Sequence, residues 1–300
     1  MSFADSFRSW RRAFKAGLPY VRRREHAILH RRHAELIEAV DGLATPAAEA
    51  GLHVAKALAL DAQREVCFFV SFADQPMLKA HVVRHIEHLL ATGIQVVLIV
   101  NTDLAATRIA VDPSLQDRLS GVLIRENIGF DFGAWAHAWA LCEGREQWPR
   151  LLLVNDSIVG PLQAAAFESL IKRIRSSRAD VVGLTESLGP RRHLQSYFLV
   201  FNRGALHSVA LADFFRRVLN WPTKAQVIDV YEARLTSLLE VQGLRCEALF
   251  PPLSSDPLSS DDTSIRWAEL VDAGFPYLKT RVIAAHPHDA RIEGWLAAVR

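Results

Sequence analysis

The sequence predicts an α/β protein, a mainly parallel sheet with helices on both faces and a helical N-terminal extension. Short, near-continuous apolar runs alternate with segments of helical periodicity from residue 65 to residue 184. Those runs lack the in–out alternation of a half-solvated sheet, as expected of strands covered on both faces. Two of them end in polar residues and glycines before a helix resumes, the layout of a ligand crevice past the carboxyl ends of parallel strands.

Along the chain, residues 1–36 hold nine Arg or Lys against three acidic residues, a net of +6 that leaves the rest of the chain at −4 within a total of +2. Phe3, Phe7, Trp10, Phe14 and Leu18 recur at helical spacing opposite Arg8, Arg11, Arg12 and Lys15. Such a helix either lies in an anionic membrane interface or docks its aromatic stripe on the domain or on a partner. The basic segment has no recognisable binding motif beside it, which argues against nucleic acid. Residues 22–60 keep helical spacing, broken near Gly42 and Pro46, so the extension is assigned to 1–60 and the α/β domain to 61–300.

Strands are expected at 65–72, 94–100, 121–124, 151–154 and 180–184, with helices at 76–90, 132–142 and 161–175. The last third is less regular. It reads as a strand at 194–201, helices at 205–219 and 224–241, a short helix at 267–273, an extended run at 275–283 and a closing segment at 291–299. The Ser/Pro/Asp-rich loop at 251–263 is long enough to be functional or mobile. Three well-separated cysteines without a CxxC pair support neither a zinc knuckle nor a disulfide scaffold and fit a reducing cytoplasm. No apolar run approaches the length of a membrane span, and the N-terminus lacks the apolar core of a signal peptide.

The chemistry concentrates at two strand exits. Asn127, Gly129, Asp131 and Gly133 follow one strand and open a helix, where glycines admit a close ligand and free N–H groups favour anionic groups. Asp131, being acidic, suits ribose or base donors better than phosphate; its plainer role is to cap the helix from Phe132. Asn155, Asp156 and Ser157 end the next strand. A carboxylate there can ligate Mg²⁺ or Mn²⁺ and so neutralise a diphosphate, or the triplet can simply be a turn into the helix after Pro161.

The pattern Glu-Asn-x-Gly-Phe-Asp-Phe-Gly-Ala-Trp at 126–135, followed by Leu-Leu-Val-Asn-Asp-Ser-x-x-Gly-Pro at 152–161, resembles the rhamnan synthesis protein F family of bacterial glycosyltransferases. Four further segments keep the family's order: 183–187, 193–198, 231–235 and 274–279, so the resemblance spans about residues 64–285. It implies a GT-A type nucleotide-binding fold that transfers a sugar, typically a deoxyhexose such as L-rhamnose, from a nucleotide-diphosphate donor. The acceptor it implies is a growing surface polysaccharide or lipopolysaccharide, as a glycan or lipid-linked glycan. By position, Asn127, Gly129, Asp131, Gly133 and Asn155 become donor contacts, and Asn155–Asp156–Ser157 takes the place of the acidic DxD triplet. That match is incomplete: Asp156 alone is charged, so a divalent metal on Asp156 and Ser157 would be weakly held. Without it the diphosphate needs another cation, with Arg125, Arg192 and Lys279 as candidates and Lys279 favoured.

An inverting transfer needs a base to take the acceptor proton. Glu186, just past the strand at 180–184, is the favoured one over His193 and Glu232, and His193, Gln195, Ser196 and Tyr197 form the acceptor side. The expectation is thus an inverting nucleotide-sugar glycosyltransferase in the cytoplasm, peripheral on the inner face of the membrane, with Glu186 and Asp156 as its catalytic carboxylates. The alternative is a non-catalytic sugar-nucleotide-binding or scaffold subunit of an assembly complex. A metal-dependent phosphoesterase would require more clustered carboxylates and histidines than the sequence holds.

Overall fold

The computed structural model describes residues 44–189, 191–256 and 261–299, together with Arg31. The basic aromatic stripe of residues 1–36 therefore lies, but for Arg31, outside the described residues. Residues 44–300 form one compact unit.

Thirteen strands are described: β1 (Thr45–Pro46), β2 (Leu52–Lys56), β3 (Val66–Ala73), β4 (Gln95–Thr102), β5 (Gly121–Glu126), β6 (Arg150–Asn155), β7 (Ile158–Val159), β8 (Val181–Ser187), β9 (His193–Leu194), β10 (Phe198–Asn202), β11 (Leu219–Asn220), β12 (Cys246–Phe250) and β13 (Leu278–Lys279). The main sheet runs β12-β8-β10-β6-β3-β4-β5-β2, with β9 paired to β8. β3, β4, β5 and β6 are mutually parallel, as are β8 and β12. β10 runs antiparallel between β6 and β8, and β2 closes the far edge antiparallel to β5. The sheet is mainly parallel, as the unbroken apolar runs predict.

Chain order reverses at β3. From it the chain builds outward to β4 and β5, then returns to lay β6 on the opposite side. The carboxyl ends of β3 and β6 therefore bound the crevice in which open α/β sheets bind ligands.

Successive side chains of the central strands enter two different layers. Cys67, Phe69, Val96, Leu98, Val100, Leu152 and Val154 join one apolar cluster. That cluster also takes Val82, Ile86 and Leu89 of α1 (Ala80–Ala91), Leu115 of α2 (Pro113–Arg118), and Phe167, Leu170, Ile171 and Ile174 of α4 (Ala164–Ser176). α3 (Phe130–Ala140) contacts β3 and β4, and its Trp135 Nε1 donates to the Phe68 carbonyl at 3.2 Å. Residues 132–139 are all buried, because α6 (Val209–Arg216) packs against it: Phe132 meets Phe214 and Trp139 stacks on Phe215 at 4.6 Å. A helix that is apolar all round needs cover on both sides, and here it has it. Fully burying each such aromatic contributes about 2–3 kcal/mol.

Four segments depart from the sequence expectation. Residues 52–56, read as part of a helical extension, form edge strand β2, since the open edge of β5 offers backbone partners that outweigh weak local helix propensity. Lys56 then donates to the carbonyls of Gln116 and Asp117 at 2.7 and 2.9 Å, capping the end of α2. The expected helix at 205–219 is two, α5 (Arg203–Leu206) and α6, because Ser208 leaves the helix to accept from the Leu211 N–H at 3.1 Å. The expected strand at 194–201 splits into β9 and β10 around residues 195–197. The extended run at 275–283 becomes helical at Thr280, after β13 has paired with β7.

Candidate active site

A cleft of about 620 Å³ opens past the carboxyl ends of β6 and β8. One wall is a relay of side chains from separate elements. Asn155, the last residue of β6, donates from Nδ2 to Asp131 Oδ2 at 2.7 Å. Its Oδ1 accepts from the Ser157 N–H at 3.1 Å and the Ser157 hydroxyl at 2.7 Å. Lys279, at the end of β13, donates to Ser157 Oγ at 3.4 Å and lies 3.6 Å from the centroid of the Tyr197 ring. Tyr197 OH meets Thr185 Oγ1 at 2.6 Å, and Thr185 in turn donates to Gln195 Oε1 at 2.6 Å.

The facing wall comes from the C-terminal half. α7 (Lys224–Val227) opens with a capping box on Thr223 and runs through a π turn, Ile228–Glu232, into α8 (Ala233–Val241). Tyr231 is fixed below, its hydroxyl taking the Leu219 N–H at 2.7 Å and Trp221 Nε1 at 3.0 Å. α7 brings Lys224 to the cleft, and the π turn brings Asp229 and Glu232, a use for which π turns are common. Glu232 Oε1 accepts from the Ser196 N–H at 3.2 Å. Asp261, from the Ser/Pro/Asp-rich loop, reaches in beside its ion-pair partner Arg281 and accepts from Gln195 Nε2 at 3.4 Å.

Two groups are held away from their ordinary protonation. Burial, reinforced by the charge of Asp156, pushes the Asp131 carboxyl up to about 6. Burial lowers Lys279 to about 7, against the attraction of Glu232. One acid and one base poised near neutrality in a single wall can exchange protons with a ligand.

Of the expected site residues, the cleft brings together Asp131, Asn155, Ser157, His193, Gln195, Ser196, Tyr197 and Lys279, with the base contender Glu232. The other expected residues do not line it. The Asp156 carboxylate turns toward β3, where its Oδ2 accepts from Ser71 Oγ at 3.0 Å, the Phe72 N–H at 3.1 Å and Lys79 Nζ at 2.9 Å. Glu186 pairs at 2.7 Å with Arg192, which also holds Glu240 at 2.7 Å. Asn127 donates outward to Asp103 Oδ2 at 3.2 Å. Gly129 and Gly133 are glycines for an internal reason: a Cβ on Gly133 would stand 2.7 Å from Asn220 Oδ1, and one on Gly129 would also collide with Asn220. Arg125 is buried and committed to the backbone carbonyls of Ala47, Glu126 and Ile128 and to the Asn220 side chain. With Arg192 paired and Arg125 buried, Lys279 alone of the three expected diphosphate cations faces the cleft.

The residues in the DxD place do not fit a divalent ion. Asn155 Oδ1 already takes two hydrogen bonds, and an ammonium sits against the Asp156 oxygen. Among the described residues, no group of three or more His, Cys, Asp or Glu could hold a metal. Lys224, Asp229, Asp261 and Arg281 line the cleft and were missed as site residues. Only the length of the loop carrying Asp261 drew attention to it; the others are ordinary charges until the fold gathers them.

A polar cleft with charges of both signs, at the strand ends of a mainly parallel sheet, defines an α/β protein with a candidate site where such sheets bind ligands. The chain belongs to the rhamnan synthesis protein F family, whose profile matches residues 96–296. It is 31% identical over 176 residues to the uncharacterized protein y4gN of Sinorhizobium fredii (strain NBRC 101917 / NGR234), covering 56% of this chain and 44% of that one. It is 29% identical over 195 residues to virulence protein VirA of Vibrio anguillarum (strain ATCC 68554 / 775), covering 54% of this chain and 62% of VirA. The chain thus spans about half the length of the curated relatives it matches.

Proposed function

We propose that this chain is a GT-A type glycosyltransferase of bacterial surface polysaccharide or lipopolysaccharide synthesis. It moves a sugar, a deoxyhexose such as L-rhamnose, from a nucleotide-diphosphate donor with inversion. The observation that carries this reading is the polar cleft past the carboxyl ends of β6 and β8 in a rhamnan-synthesis family protein, with Asp131 and Lys279 poised near neutrality in one hydrogen-bonded wall.

The sugar sits in the cleft and the diphosphate over the turn Asn155–Ser157. The acceptor hydroxyl oxygen attacks the anomeric carbon while the bond from that carbon to the diphosphate oxygen breaks. Asp131, fixed through Asn155, takes the hydroxyl proton in place of Glu186, whose carboxylate is bound by Arg192. Lys279, as an ammonium, stabilises the charge that develops on the leaving nucleoside diphosphate. Gln195, Ser196 and His193 then face the acceptor.

A transfer assay with dTDP-, UDP- and GDP-sugars and oligosaccharide acceptors tests this. Wild-type turnover with loss of about a hundredfold or more in Asp131→Asn is expected, in the range of a lost general base. A second reading, a sugar-nucleotide-binding subunit without catalysis, is favoured by Asp156 and Glu186 both being closed in ion pairs. Tight donor binding without turnover for any acceptor would establish that second reading instead.

A further inference from the structure

We infer that Lys79 and Lys279, held on adjacent residues of one turn, take the place of a divalent cation on the donor's diphosphate. This rests on the donor reading above and adds to it the charge that binds the diphosphate. Asp156 and Ser157 are consecutive, and each holds a lysine from a different part of the chain. Lys79 Nζ is 2.9 Å from Asp156 Oδ2, and Lys279 Nζ is 3.4 Å from Ser157 Oγ.

Each lysine thus contacts one residue of the turn where a metal-dependent enzyme would place its ion, Lys279 from the cleft and Lys79 from the side of β3. Asp156 is fixed before the lysine arrives, by Ser71 Oγ and the Phe72 N–H of β3 across the switch point. Its side chain is 17% exposed against 39% for that of Lys79, so the carboxylate is the more buried partner of the pair. An ammonium carries three donors and Asp156 takes one, which leaves N–H groups for a phosphate oxygen. The Phe72 ring lies 5.8 Å from Lys79 Nζ and limits where that ammonium can go. Lys279 is oriented from below by the Tyr197 ring.

A divalent ion competes poorly here. It would need anionic oxygens at close range, and the sole carboxylate of the triplet already neutralises Lys79. The two lysines instead offer N–H donors without a coordination shell, and a diphosphate bound beside Lys279 would favour its charged form.

The test is a thermal-shift titration of the full chain with UDP, dTDP, GDP and inorganic pyrophosphate, each in EDTA and in Mn²⁺, since a bound ligand raises the melting temperature by mass action. At least one nucleotide should stabilise the protein equally in both conditions. Lys79→Gln should weaken that binding about tenfold or more, the loss expected of a charge-assisted hydrogen bond, with most of it restored in Lys79→Arg. Asp156→Asn, which releases Lys79 from its anchor, should weaken binding in the same direction and provides a second variant. Unliganded melting temperatures of all three variants control for folding. Stabilisation that EDTA abolishes and Mn²⁺ restores overturns the inference, as does wild-type affinity in a folded Lys79→Gln. A Lys79-dependent shift with pyrophosphate in EDTA but with no nucleotide would sustain the lysine pair and sink the donor reading. No shift with any of them sinks both.

Discussion

Asp131 and Lys279 share a wall yet are displaced in opposite directions, because burial penalises whichever form is charged. Between 3.8 and about 6 the native Asp131 keeps a proton that the unfolded chain has lost. Stability therefore falls as pH rises through that window and the penalty persists above it. Asp131→Asn keeps an oxygen for the Asn155 N–H and removes the charge, so it should raise the melting temperature at pH 7.5 by a few degrees, about 1 kcal/mol, and by less at pH 4.5. Calorimetry at both pH values checks this; an equal gain at both would assign the effect to packing. Lys279 acts with the opposite sign: between about 7 and 10.5 the unfolded chain binds more protons, so stability rises with pH there. If Asp131 works deprotonated and Lys279 protonated, kcat/KM should peak between about 6 and about 7 and fall on both sides. A flat profile over that range would remove both from the reaction. Asp131 was legible in the sequence as a polar residue at a strand exit. Its hydrogen bond to Asn155 and its displaced acidity were not, since both depend on how the fold brings two strand ends together.

The loop entering α3 shows how a conspicuous sequence motif can serve the scaffold. Gly129 has φ 71° and Phe130 φ 53°, two consecutive left-handed residues of which only the glycine adopts that region without cost. The conformation is held by Arg125, donating to the Ile128 carbonyl, and by Asn101 Nδ2, donating to the Phe130 carbonyl at 3.2 Å. Gly129, not Asp131, is the residue that caps α3, which is why the helix starts two residues earlier than the sequence indicates. Gly133→Ala should destabilise the protein by about 1–3 kcal/mol, because the new methyl would crowd Asn220 and Arg125 at 2.7 and 3.2 Å. Urea unfolding measures it; a neutral result would mean that this contact yields. The glycines stood out as ligand-approach positions because a ligand and a neighbouring side chain ask the same of a backbone. Only the placement of β11 distinguishes the two.

For the molecule as a whole, the family profile and the polar cleft concern the α/β unit, while the basic aromatic pattern of residues 1–36 is a separate feature of the sequence. No helix among the described residues is long and apolar enough to cross a membrane. We propose that the stripe of Phe3, Phe7, Trp10 and Phe14, flanked by arginines, brings the enzyme to a lipid-linked acceptor on an anionic bilayer surface. Co-sedimentation with vesicles containing phosphatidylglycerol should show binding that falls with salt and is lost in Trp10→Glu. Equal pelleting of wild type and variant would return the stripe to a docking role.

The sequence by itself determined the α/β class and most of the central strands, because apolar runs are local patterns, and it marked Asp131 and Asn155 among the polar residues at strand ends that the cleft brings together. It also carried the family, through ordered motifs from the Glu126–Trp135 segment to Lys279. Tertiary structure decided which of the marked residues face the cleft. Asp156 and Glu186 are drawn away by Lys79 and Arg192, while Asp131 and Lys279 are brought in together with Glu232 and Asp261. Lys79 and Asp156 lie 77 residues apart, and Asp131 lies far along the chain from Glu232, Asp261 and Lys279; Arg192 is near Glu186 in sequence but reaches it only because β8 and β9 pair. A carboxylate's direction is set by the cation that the fold delivers to it, and no local pattern encodes that meeting.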